Sequence, residues 1–144
     1  MCPTERGFTL IEILLVMAMA AVLAGIALPS FEGALRKARR TDALVASVQI
    51  QQAQERLRSR STRYGDLTEI GVAAVSPARH YALQITAFDE DGYALLASAS
   101  GWQLRDAECR YMAVRAAGMN LTYSSGSDAE VTNSDAVNRR CWSL

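Results

Sequence analysis

The sequence contains very little histidine and cysteine, which limits the chemistry that the chain can perform. Its 144 residues include one histidine, His80, and three cysteines, with no Cys-x-x-Cys pair. A zinc site takes three or four His, Cys or acidic ligands, so this chain offers no adequate ligand set. It also has no Gly-x-Ser-x-Gly elbow and no phosphate-cradling glycine loop. We therefore expect no enzyme, no metal and no cofactor.

The sequence also has no excess of positive or of negative side chains. Fifteen Lys and Arg residues balance fifteen Asp and Glu residues, for a formal net charge of +0. Net charge therefore gives no global argument for binding to nucleic acid or to an anionic membrane. The length fits one small domain, and much of the hydrophobic half of the composition lies in the first thirty residues.

One long apolar run is present, and it contains a single charged residue, Glu12. A charge in a membrane-length segment costs about 2.5–3.5 kcal/mol, so it needs a partner. Cutting the chain after Gly7 would create an α-ammonium on Phe8, four residues from Glu12 and on the same face of a helix. The uncharged part, 13–28, is roughly 24 Å of helix, and with 8–11 added it can span a bilayer. A secretory signal cut among the small residues 18–27 is the alternative.

The segment Gly7-Phe8-Thr9-Leu10-Ile11-Glu12 closely resembles the class III signal of type IV pilins and related pseudopilins. The resemblance implies that a prepilin peptidase cleaves after Gly7 and N-methylates Phe8, and that Glu12 acts in assembly. It implies an α+β fold, in which a long, partly transmembrane N-terminal helix packs on a small antiparallel sheet with a disulfide-closed C-terminal loop. The implied partners are major and minor pilin subunits, the prepilin peptidase, the inner-membrane assembly machinery and membrane lipid.

The expected organisation follows from this resemblance and from the pattern of residues. Residues 1–7 are the leader, and 8–59 form the long helix, with 8–28 in the membrane or filament core and 29–59 amphipathic. A loop covers 60–78, and 79–144 hold the sheet and the disulfide region. Pro29 removes a helix hydrogen bond and clashes with the carbonyl of Gly25. We expect either a static kink there or, as the resemblance implies, a stretch that melts during assembly.

Beyond Pro29 the helix is predicted to be amphipathic. One stripe of apolar residues at three- and four-residue spacing should pack on the sheet: Ala43, Ala46, Ile50, Ala53 and Leu57. Val45 and Val48 lie off this stripe and are predicted to meet neighbouring subunits. Polar side chains should occupy the remaining surface: Arg36, Arg39, Arg40, Asp42, Gln49, Gln52, Glu55 and Arg56.

The second half of the chain predicts short strands. Residues 81–87 alternate in polarity, Asp89 to Gly92 form a turn in which Asp-Gly favours a hairpin, and 93–99 return as the second strand. A third strand is expected from Cys109 to Arg115 and a short fourth strand at 120–123. The last twenty residues are polar and are predicted to be irregular.

Two cysteines remain once Cys2 leaves with the leader. Cys109 and Cys141 are even in number, which suits an oxidising compartment. A bridge between them closes a loop of roughly 33 residues and contributes on the order of 3–4 kcal/mol in the chain-entropy description. Trp142 would then cap the core. This layout resembles the C-terminal disulfide loop of pilins, and the Cys141-Trp142 ending resembles PilE-type minor pilins. Two free buried thiols or a metal-binding pair are the alternative, although one histidine and no Cys-x-x-Cys leave no adequate ligand set.

Four arginines crowd the predicted end of the helix: Arg56, Arg58, Arg60 and Arg63. Some members of the pilin family are DNA receptors in natural transformation, so these cations are candidate contacts to DNA phosphates. The alternative is a solvated helix terminus whose cations suit the negative end of the helix dipole. No aromatic residue interleaves with them in the sequence.

The resulting hypothesis is a minor subunit of a type IV pilus. The chain would enter the inner membrane as a single-pass precursor, be cleaved and N-methylated, and join a filament at the cell surface that serves adhesion, twitching motility or DNA uptake. A DNA receptor pilin and a type II secretion pseudopilin are the alternatives.

Overall fold

A computed structural model of the protein describes the backbone of residues 7–144 and the side chains of 7–27 and 31–144. The predicted leader residues 1–6, Cys2 included, lie outside the described residues, and so does the side chain of Pro29. The first helix, α1, runs Leu10–Arg58. Its helical backbone continues through position 29, and the predicted weak point there stays a prediction.

The chain divides into two compact units, the first ending at Leu35 and the second covering Arg36–Leu144. In the first unit every side chain of 7–27 is exposed. An 18-residue window of α1 reaches a mean hydropathy of 2.6, and none of that window is buried within the protein. By length and composition, α1 is therefore able to cross a membrane.

The second unit buries one face of α1. Ala43, Ala46 and Ile50 are at most 1 % exposed, Ala53 is buried and Leu57 is half-buried, so the predicted stripe is confirmed. Small residues in this stripe allow the helix to approach the sheet closely. Val45 and Val48 are each 42 % exposed, off the stripe as predicted.

A four-stranded antiparallel sheet forms the rest of the core, with the strands in the order β1-β2-β3-β4. The strands are β1 (Tyr81–Phe88), β2 (Gly92–Ala99), β3 (Tyr111–Ala117) and β4 (Asn120–Gly126). Alternate residues of β2 and β3 point into the core, where Leu95, Met112 and Val114 are buried. The expected α+β fold, with a long helix on a small antiparallel sheet, is confirmed.

The β1–β2 hairpin is confirmed, but Gly92 serves a purpose different from the one predicted. Asp89 Oδ1 accepts hydrogen bonds of 2.8 Å from the N–H groups of Asp91 and Gly92, which closes the turn. Gly92 does not adopt a positive φ. A Cβ at this position would lie 2.0 Å from the carbonyl oxygen of Ala116, so glycine is needed because β3 passes so close.

Three predictions about the C-terminal part are corrected. The third strand begins at Tyr111, because Cys109 lies in a short 3-10 turn, Ala107–Cys109, that precedes it. The fourth strand extends to Gly126 rather than ending at residue 123. The final residues are not irregular: a second helix, α2, spans Asp135–Trp142.

The disulfide between Cys109 and Cys141 is confirmed, with the two Cα atoms 5.5 Å apart. It ties α2 to the turn before β3. Trp142 is 1 % exposed, donates its indole N–H to the carbonyl of Ser124 at 2.9 Å and packs edge-on against Tyr123. The predicted cap on the core is therefore present.

Asp42 was predicted to be a surface residue and is instead 8 % exposed. Its carboxylate accepts hydrogen bonds from the Ser76 hydroxyl (2.5 Å), the Ala78 N–H (2.9 Å) and the His80 N–H (3.1 Å). These contacts fasten the segment that enters β1 to the middle of α1. His80 lies immediately before β1, held there by the hydrogen bond from its N–H to Asp42.

We expect Asp42→Ala to lower the free energy of unfolding by about 2–4 kcal/mol, because three donors lose their acceptor in a partly buried place. Urea unfolding of the protein in detergent would measure the loss. Glu90→Ala removes the same charge from the exposed hairpin turn and should stay within about 0.5 kcal/mol of the wild type. Equal stability of the two variants would contradict the fastening role of Asp42.

Candidate functional site

The predicted processing segment meets the start of α1 at Thr9 and Glu12. The Thr9 carbonyl accepts the first helical hydrogen bonds, from Glu12 N–H (3.1 Å) and Ile13 N–H (3.3 Å). The Thr9 hydroxyl also accepts from the Glu12 N–H at 3.3 Å, while the Thr9 N–H donates to Glu12 Oε2 at 3.4 Å. This reciprocal pair is a capping box, and it explains why α1 begins at Leu10 rather than at the predicted Phe8.

Glu12 therefore has a local role that the sequence analysis did not recognise, although Thr-x-x-Glu before an apolar run signals it. In the full-length chain, Phe8 contributes only a peptide N–H, so the carboxylate serves the helix cap. After cleavage the same carboxylate would face an ammonium four residues away. The assembly role of Glu12 and the methylation of Phe8 stay predictions.

Gly7 occupies open space in the structure. A Cβ added to it would meet no described atom within 4 Å. Phe8, next to it, is 80 % exposed. Within residues 7–144 no neighbouring atom requires glycine at position 7, and cleavage after Gly7 stays a prediction from the sequence motif.

We accordingly expect Gly7→Asp to leave the stability of the folded unit unchanged while processing is lost. The predicted peptidase would have to accept a larger, charged side chain in place of glycine at the cut site. Intact-mass spectrometry of membrane fractions should find only the uncut chain, and Thr4→Asp, which also adds a charge to the leader, should still be processed. Recovery of a mature Gly7→Asp chain starting at Phe8 would contradict the assignment.

The four arginines proposed for DNA do not form one free basic patch. Arg58 donates to the Tyr64 hydroxyl, and its guanidinium lies 4.9 Å from the centre of the Tyr64 ring. Arg63 pairs with Glu69 through bonds of 2.5 and 3.1 Å, and the bond lowers the pKa of Glu69 below its usual value. Arg56 and Arg60 remain exposed at the end of the helix.

A second basic group, which the sequence analysis did not predict, contains residues from both helices of the second unit. Lys37 and Arg40 of α1 line one cleft with Arg139 and Arg140 of α2. Arg40 is committed to a bidentate pair with Asp106 (2.6 and 2.7 Å), and this pair raises the pKa of the guanidinium despite the opposing effect of burial. Within residues 7–144, no cluster of three or more His, Cys, Asp or Glu residues is arranged to hold a metal ion.

Comparison with known proteins finds two families that match consecutive parts of the chain, together covering residues 2–113. A family described as "Prokaryotic N-terminal methylation motif" matches residues 2–28, which include the predicted cleavage segment and the apolar part of α1. A family described as "Type IV minor pilin ComP, DNA uptake sequence receptor" matches residues 29–113, more than half of the chain. The second match covers the amphipathic part of α1, the connection to β1 and the first strands.

Two curated relatives carry the same resemblance. The chain is 32 % identical over 106 residues to "Type IV major pilin protein PilA" of Myxococcus xanthus, covering 73 % of this chain and 43 % of PilA. It is 43 % identical over 51 residues to "Prepilin peptidase-dependent protein D" of Escherichia coli, covering 35 % of each. The matched regions thus span less than half the length of these relatives. By fold, N-terminal motif and family match, the chain belongs to the type IV pilin family, in the group described as ComP-type minor pilins.

Proposed function

We propose that the protein is a structural minor subunit of a type IV pilus rather than an enzyme. The apolar part of α1 holds the precursor in the inner membrane, and the prepilin peptidase removes the leader after Gly7. The mature chain then packs this helix among those of other pilin subunits. The family match and the exposed apolar surface of 8–27 support this proposal, because such a surface needs a bilayer or a filament core to cover it.

The observation that carries the mechanism is the position of Glu12 at the first turn of α1. Once Phe8 has a free ammonium, Glu12 of one subunit pairs with Phe8 of the next and fixes their axial register. Within one subunit the same two groups lie four residues apart, so the membrane-stored and assembled states compete for the pair. In the filament core the pair is shielded from water. Removing one partner of such a buried ion pair costs about 3–5 kcal/mol, because the other charge stays buried without compensation.

Filament purification tests the structural role. Filaments sheared from cells that express the wild-type chain should contain it in mature form alongside more abundant pilin subunits. A chain that remains wholly in the membrane fraction of a piliated cell would contradict the proposal. Loss of export of folded proteins on deletion of the chain, with piliation unchanged, would instead indicate a secretion pseudopilin.

DNA binding is the second candidate function, and the family description favours it. The guanidinium groups of Arg58 and Arg63 already bind the side chains of Tyr64 and Glu69, whereas Arg60 donates to a neutral backbone carbonyl, that of Arg56. Arg56 and Arg60 are therefore the better candidates from the predicted set. Affinity for DNA falls as the salt concentration rises, and each phosphate contact would steepen the slope of log affinity against log salt concentration by about 0.9.

The double variant Arg56→Ala, Arg60→Ala should weaken binding to a duplex oligonucleotide while piliation stays intact. The magnitude of the salt slope should decrease by about 2, because two phosphate contacts are lost. Arg79→Ala with Arg115→Ala removes the same charge from exposed positions outside both basic groups and serves as the matched control. If both double variants bind DNA like the wild type, the helix-end site is wrong. If the wild-type protein itself fails to bind, DNA binding is wrong.

A further inference from the structure

The outer edge of β4 lacks the residues by which edge strands usually avoid pairing with other chains. Asn120–Gly126 contains no charged residue and no proline, which are the common guards of an exposed edge. At the opposite edge of the sheet, the segment before β1 covers the first half of that strand, where the N–H of Leu83 donates to the carbonyl of Ala74 at 2.9 Å. The edge of β4 therefore needs an account of its own.

Backbone hydrogen bonds cover only the end of the β4 edge. The carbonyl of Ser125 accepts from the N–H of Asn133 at 3.0 Å, so the backbone of Ser125 faces away from β3. Residues of an antiparallel strand bond alternately to its two sides, so Leu121 and Tyr123 also direct their N–H and C=O groups outward. Among residues 7–144, no group outside the sheet bonds to these four backbone atoms. We call residues 121–123 the open edge.

A cleft of about 370 Å³ lies beside the open edge, between α1 and the β3–β4 turn. Leu121 pairs with the buried Ala116 of β3, so the Leu121 side chain lies on the helix side of the sheet, where it lines the cleft. Met119, which is fully exposed, lines it as well. A strand added to β4 would direct alternate side chains into this cleft. Its polar lining residues are Gln51, Glu55, Arg58 and Tyr93.

Two polar groups in the cleft have no partner in the part of the chain that the structure describes. Tyr93 is 4 % exposed, and no hydrogen bond reaches its hydroxyl. Burial first, and then the neighbouring Tyr64 and Glu55, raise the pKa of Tyr93 to about 12, which places its hydroxyl near Glu55. The Glu55 carboxylate forms no ion pair, whereas Arg58 donates to the Tyr64 hydroxyl. The cleft therefore offers two unused oxygen acceptors to a donor side chain.

We propose that the open edge and the cleft together dock an extended segment of another pilin subunit, which pairs with β4 and directs a lysine or arginine towards Glu55. The inference rests on the structural role proposed above. A row of unpaired N–H and C=O groups matches the backbone of an added strand. A long basic side chain would donate to Glu55 and Tyr93 while its apolar stem packs on Met119 and Leu121. An unguarded edge is a hazard in a free chain, so it is expected to be covered once subunits assemble.

Leu121→Pro in the full-length chain tests the docking site, because it deletes an N–H that the sheet of the free subunit does not use. Its melting temperature in detergent should match that of Leu121→Ala, which keeps the N–H and serves as the control. Incorporation into sheared filaments should fall about tenfold for Leu121→Pro, through the lost backbone bond and the proline ring, and stay near wild type for Leu121→Ala. Glu55→Lys should also lower incorporation, whereas Glu90→Lys, the same change in the exposed β1–β2 turn, should not.

Photocrosslinking decides the question even where Leu121→Pro fails to fold. The photoreactive residue p-benzoylphenylalanine replaces the exposed Met119 in the full-length chain, and purified filaments are irradiated. Mass spectrometry should find the adduct on an extended segment of another pilin subunit that contains a lysine or arginine. Wild-type incorporation of a folded Leu121→Pro chain, or an irradiated filament without a pilin adduct at position 119, would overturn the docking site alone. Absence of the wild-type chain from filaments would overturn the structural role, and the docking site with it.

Discussion

Replacing Glu12 with leucine should leave membrane insertion intact and abolish incorporation into filaments. Leucine suits lipid better than a carboxylate, so insertion loses nothing. In the membrane, the Phe8 ammonium of the variant lies at the terminus of the apolar segment and can reach the headgroups. In a filament core it would be buried without a partner, at a cost of about 3–5 kcal/mol. We therefore expect incorporation to fall on the order of a hundredfold or more relative to the wild type.

Two further variants separate ion pairing from helix capping. Glu12→Gln keeps the shape and hydrogen-bonding ability but removes the charge, and it should fail like Glu12→Leu. Thr9→Val removes the hydroxyl that accepts from the Glu12 N–H, which costs the helix start about 1 kcal/mol, and it should still assemble. Quantitative immunoblotting of sheared filaments against membranes measures all three. Assembly of Glu12→Gln at wild-type level would contradict the pairing.

Loss of the disulfide should have the second largest effect. The eight residues of α2 are too few for an isolated helix to be stable, so its position depends on the bridge to Cys109 and on the burial of Trp142. Cys141→Ser should lower stability by about 2–5 kcal/mol. For a folded unit of this size that corresponds to a drop in melting temperature of roughly 10–30 °C. Protease should then cut between β4 and Trp142.

Cys2→Ser provides the control, since it removes the remaining cysteine from the predicted leader. Its melting temperature and protease pattern should match those of the wild type. Reduction of the wild-type protein by dithiothreitol should reproduce the behaviour of Cys141→Ser. Unchanged protease resistance of residues 127–140 in Cys141→Ser would mean that packing alone holds α2.

High pH should also destabilise the second unit, through two buried phenols. Burial raises the pKa of both Tyr81 and Tyr93 to about 12, against about 10 in an unfolded chain. Because the folded-state pKa is the higher one, the stability contribution is complete below pH 10 and is lost as the pH rises towards 12. Urea unfolding at pH 9 and pH 11.5 should show the fall. A flat profile between these two pH values would contradict the burial of the two hydroxyls.

Local patterns in the sequence were sufficient to predict those helices and strands that bury residues at regular intervals. The stripe from Ala43 to Leu57 and the alternation in β1 and β2 follow from periodicity alone, since burial repeats with the period of the backbone. The second helix was missed because its composition is polar, and its burial rests on Val137, Cys141 and Trp142. Ser134 before Asp135 is a helix-start signal that would have indicated it.

Contacts between residues that are distant in the sequence could not be predicted from local patterns. Asp42 finds its donors 34 to 38 residues away, so its burial is visible only in the folded chain. Arg63 pairs with Glu69 in a loop that has no periodic pattern, and its guanidinium lies 5.8 Å from the centre of the Phe88 ring, so neither contact could be predicted from the spacing of residues. The processing segment is different, because its recognition depends on consecutive residues from Gly7 to Glu12 and needs no tertiary contact.

Mass spectrometry of the N-terminus of the chain in purified filaments tests the central claim most directly. We expect a chain that begins at Phe8 and carries one methyl group on its α-nitrogen, because only a free terminal amine can neutralise Glu12 inside the apolar core. A chain in filaments that still begins before Phe8 would contradict the account, since the acid would then have no ammonium to face.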